Sequence, residues 1–136
     1  MATNEIVLEL STAANDVARN LPEAHRMTRW YRDPRFHAAA ERVITVLYSI
    51  EVRLLSDELL AEVERLTRSA INLVEAHMLL RNTEADVADN GYCTDVINRL
   101  RDALDALASG LPADPAKRPS DEELLNELAA DLRRVG

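Results

Sequence analysis

The sequence predicts an all-α protein, an antiparallel four-helix bundle with an additional C-terminal helix after a Pro-rich linker. Three observations lead there. Apolar residues recur three and four positions apart along almost every segment, the spacing of one helix face. No run alternates apolar and polar residues as a half-buried strand does. Only three glycines and five prolines interrupt 136 residues, so regular elements are long and joints short.

The first helix is expected from about Asn4 to Asn20, with Ile6, Leu10, Ala13, Val17 and Leu21 on one face and Pro22 interrupting it. A short helix is expected within "LPEAHRMTRWY", because Pro22 suits a first turn. Asp33 and Pro34 restart the chain as N-cap and first helical residue. The second helix then extends to about Leu55, roughly 33 Å at ~1.5 Å per residue. Its seam is Phe36, Ala40, Val43, Leu47, Ile50 and Leu54, and Ile44, Val46, Tyr48 and Val52 widen the apolar arc. So wide an arc fits the central helix of the bundle or a subunit interface. The interface expectation centres on Val43, Ile44, Leu47, Tyr48 and Ile50.

Ser56 caps a third helix beginning at Asp57, whose stripe is Leu59, Val63, Leu66, Ala70, Leu73, His77 and Leu80. It ends near Arg81 or runs on to Asp89, and Gly91 suits the left-handed position that closes it. Thr94 caps the fourth helix, with Ile97, Leu100, Leu104, Leu107 and Leu111 on its stripe and Gly110 and Pro112 as its stop. Short joints make consecutive helices antiparallel neighbours. The fifth helix opens on a Ser120–Glu123 capping box and carries Leu125, Leu128, Leu132 and Val135 on one face. Its acids lie at the positive end of the helix dipole, and Arg133 and Arg134 at the negative end. The expected division is a bundle over 1–111, a linker over 112–119 and the last helix over 120–136, one domain overall. That linker could let the last helix dock away from its own bundle.

Glycine scarcity excludes whole classes of chemistry. Gly91, Gly110 and Gly136 cannot build a phosphate-cradling loop, a dinucleotide fingerprint or a nucleophile elbow. His25, His37, His77 and Cys93 are too sparse for zinc ligation at standard spacing, and no Glu precedes a His by three residues as a di-iron bundle requires. No metal and no cofactor are expected. His77 reads as a buried imidazole bonded to a neighbouring group, and Cys93 as a small filler residue. The lone cysteine, an N-terminus without a signal pattern and the lack of any long apolar run point to a cytoplasmic protein.

A formal net charge of -8 argues against a general nucleic-acid coat. Yet "HRMTRWYRDPRFH" gathers four arginines and three aromatic rings in thirteen residues. Trp, Tyr and Arg are the types most enriched at interface hot spots. Arg26, Arg29, Trp30, Tyr31, Arg32 and Arg35 are therefore the candidate binding residues. Packing within the chain, with arginine stems over rings, competes with docking, and so does contact with phosphates and bases.

"RDPRFH", Arg32 to His37, resembles the Arg-polar-(three to five residues)-His motif of the HEPN family, all-helical RNases that work as dimers. "RNLPEAH", Arg19 to His25, fits the same loose pattern. The resemblance implies metal-independent RNA cleavage, with Arg32 steadying the phosphate, Asp33 as the polar neighbour and His37 in acid-base catalysis. The main expectation is different: a non-enzymatic bundle that works by protein-protein interaction, as a homo-oligomer or a small subunit or adaptor of a larger complex. A nucleic-acid-contacting subunit and the HEPN-like RNase are the alternatives.

Overall fold

Helices form where the apolar spacing places them. The computed structural model describes residues 3–24, 34–81 and 91–135, and contains no strand among them. Its helices are α1 (Thr3–Ala24), α2 (Pro34–Tyr48), α3 (Asp57–Arg81), α4 (Gly91–Ala108) and α5 (Asp121–Val135). Short 3-10 turns occupy Val52–Leu54 and Pro115–Lys117. No helix among the described residues is long and apolar enough to cross a membrane.

Four helices close one core. α1 packs along α2 and α3, while α4 packs along α3 and α2, so the order around the bundle is α1, α2, α4, α3. The pairs α1–α2 and α3–α4 are the neighbours that short joints predict. Helices α2 and α3 share no comparable face, although they are consecutive. The chain between them has its own 3-10 turn and does not fold back as a tight hairpin.

α2 supplies the middle of the core. Phe36, Val43 and Leu47 are completely buried, with Ile44, Val46 and Ile50 nearly so. They meet Leu10, Ala13 and Val17 of α1, Val63 and Val74 of α3, and Val96, Leu100 and Leu104 of α4 in one continuous cluster. Burying each large side chain stabilises the fold by about 1.5–3 kcal/mol.

Several boundaries differ from the sequence expectation. α1 continues through Pro22 to Ala24. A proline in the last turn removes one backbone bond where little helix remains to be lost, while the preceding turns are held by core packing. α2 stops at Tyr48 instead of near Leu55. The Ser49 Oγ donates to the Val46 carbonyl at 2.7 Å, and the Ile50 N–H turns back to the Leu47 carbonyl at 3.2 Å. Serine thereby offers the backbone an alternative to the helix. Leu54, expected on the seam, is exposed as a result.

The buried face of α3 is Val63, Thr67, Ala70, Ile71 and Val74, a slight rotation from the predicted stripe. Leu59, Leu66, Leu73 and His77 lie half-buried along its margin. The Ser56 cap is present, its Oγ accepting from the Leu59 N–H at 3.1 Å. Gly91 is not the left-handed glycine; it begins α4, and the positive φ of 76° belongs to Gly110. There the Leu111 N–H reaches the Ala106 carbonyl at 2.8 Å and the Gly110 N–H reaches Leu107 at 3.1 Å. This pair of bonds is the Schellman closure of a helix C-terminus.

Candidate functional site

Of the residues singled out for binding, Arg26, Arg29, Trp30, Tyr31 and Arg32 lie outside the described residues. Arg35 is exposed in the first turn of α2. His25 and Asp33 also lie outside, so the Arg32–His37 pairing is represented by His37 alone.

His37 belongs to a compact polar and aromatic cluster between the starts of α2 and α4. Its ring stacks on Tyr92 with centroids 3.9 Å apart and planes inclined by 19°. Phe36 presents an edge to both rings, at 6.0 and 6.3 Å. The Tyr92 hydroxyl donates to Glu41 Oε1 at 3.0 Å, and Arg99 Nη2 donates to the same oxygen at 2.8 Å. Asp95, one turn before Arg99, lies 3.3 Å from the guanidinium Nε as an ion pair. Burial first, and then the bond to Glu41, push the Tyr92 phenol well above its ordinary range. The phenol therefore remains a donor to the carboxylate. The Tyr92 hydroxyl and Arg99 Nη2 share one Glu41 oxygen and so latch α2 to α4, while the buried Arg99 Nε has no hydrogen-bond partner among the described residues.

The sequence did not announce this latch. Glu41 and Arg99 are 58 residues apart, and the only local hint is the Asp95–Arg99 spacing of one helical turn. Cys93, beside it, is fully buried, and desolvation pushes its thiol up to about 12. It packs as a filler and is not acidified by the helix start. His77 meets the Leu73 carbonyl through Nδ1 at 3.0 Å, so it has a neighbouring partner as expected, although it is half-buried and not in the core. No group of three metal-ligating side chains occurs among the described residues.

The residues expected at an oligomer interface lie on α2, at the centre of the bundle. Val43, Ile44, Leu47 and Ile50 are buried among the chain's own helices, and Tyr48 packs against the same core. Central placement of α2 accounts for its wide arc; of these side chains only Tyr48 is half-buried.

Exposed apolar surface instead concentrates on α5. Leu124, Leu125, Leu128 and Leu132 are 46%, 65%, 57% and 66% exposed. Among the described residues, no α5 side chain joins the core cluster, and α5 has no major packing face with α1 to α4. Its N-terminus is firmly built: the Glu123 N–H donates to Ser120 Oγ at 3.2 Å, and the Ser120 N–H donates to Glu123 Oε2 at 3.3 Å.

The proline-rich connection is fastened to the bundle. Arg118 spans Asp102 on α4, its Nη1 and Nη2 lying 3.3 and 2.7 Å from the two carboxylate oxygens. It also donates to the Pro112 and Ala113 carbonyls, each at 2.8 Å. Ala113 is buried, and Lys117 reaches the Tyr48 carbonyl at 3.4 Å. The linker thus carries α5 as a bracket. No family model, curated protein or solved structure matches this chain.

Proposed function

We propose that this protein is a non-enzymatic interaction module whose working surface is the leucine face of α5. One observation carries the reading. A chain with a complete four-helix core leaves four leucines of one further helix exposed on a bracketed support. Fifteen residues of helix, about 22 Å long, are marginally stable alone in water. Covering that face with another protein surface supplies the missing stabilisation. An exposed apolar stripe of this kind marks a protein-interaction site.

The Arg-aromatic stretch keeps its place in the proposal as a second contact region, through Arg35 and the residues before it. For His37, the stack on Tyr92 supports a packing role over acid-base catalysis.

The test compares the native chain with Leu124→Ser/Leu128→Ser as baits in the native host. Every partner, including another copy of the chain, should be lost from the variant while its helical circular dichroism and melting stay those of the bundle. Equal recovery by both baits overturns the assignment.

A further inference from the structure

We draw no further inference here: the strongest candidate, the exposed leucine face of α5 beyond the Arg118 bracket, carries none because nothing in the structure shows what covers it.

Discussion

Two stripes of this chain read alike in sequence and meet opposite fates. On α2, Phe36, Val43 and Leu47 follow helical spacing and are completely excluded from solvent. On α5, Leu124, Leu128 and Leu132 follow the same spacing and stand in water. Periodicity specifies which side of a helix is apolar; it is silent on what covers that side. The difference lies in the connections. α2 is packed between α1 and α4, whereas α5 is held by a linker that Arg118 fastens outside the core.

The largest expected effect sets the two stripes directly against each other. Leu47→Ala should destabilise the fold by about 2–5 kcal/mol, since it opens a cavity in a filled core. Leu128→Ala, measured by urea unfolding at a concentration too low for association, should change stability by less than about 0.5 kcal/mol. Comparable losses from both would show that α5 is folded into the core.

Arg118→Ala tests the bracket. Its guanidinium bonds to a carboxylate and to two carbonyls, and hydrogen bonds of charged groups contribute about 1.5–3 kcal/mol at best. Asp102 is half exposed and solvent screens it, so a total loss near 1 kcal/mol is expected. Amide exchange over 110–119 should accelerate while the centre of α2 stays protected. If the linker amides exchange as in the native chain, the bracket is not what positions α5.

Alkaline titration separates the regions by chemistry. Cys93 in the folded chain releases its proton only near 12, well above an unfolded thiol at about 8.5. Below the unfolded value the stabilisation is complete. As pH rises beyond it, the unfolded chain releases a proton that the folded chain keeps, so stability declines toward 12. Tyr92 is shifted in the same direction by burial and by Glu41. Melting temperature should fall above about pH 9, and Cys93→Ala should flatten that slope. An unchanged slope would mean that the thiol is not held protonated by the core.

The sequence revealed the helices because their signals are local. Apolar spacing marked the faces, Ser56 and Ser120 marked two starts, and Gly110 marked an end. It misjudged the end of α2, where Ser49 competes for the backbone, and the role of Gly91, because several polar residues nearby could equally begin a helix. The Glu41–Tyr92–Arg99 latch was beyond reach, since it exists only once α2 and α4 lie side by side. For α5 the leucine face was plain and its solvent exposure was not. Exposure depends on Arg118 meeting Asp102, a contact across the turn between two helices.

The smallest effect concerns a polar group on the wrong side of this division. Thr67 is completely buried on α3, yet its hydroxyl has no hydrogen-bond partner among the described residues. A buried hydroxyl without a partner gives up its water bonds for nothing, a cost of about 1–3 kcal/mol. Valine has nearly the same shape and no such cost. Thr67→Val should therefore stabilise the bundle by about 1 kcal/mol, read as a higher urea midpoint with an unchanged slope. The substitution should leave α5 association untouched, because the two sites share no neighbours. Stability lowered by valine would show that the hydroxyl has a bonded partner, and the interior of α3 would then be more polar than the α2 stripe suggests.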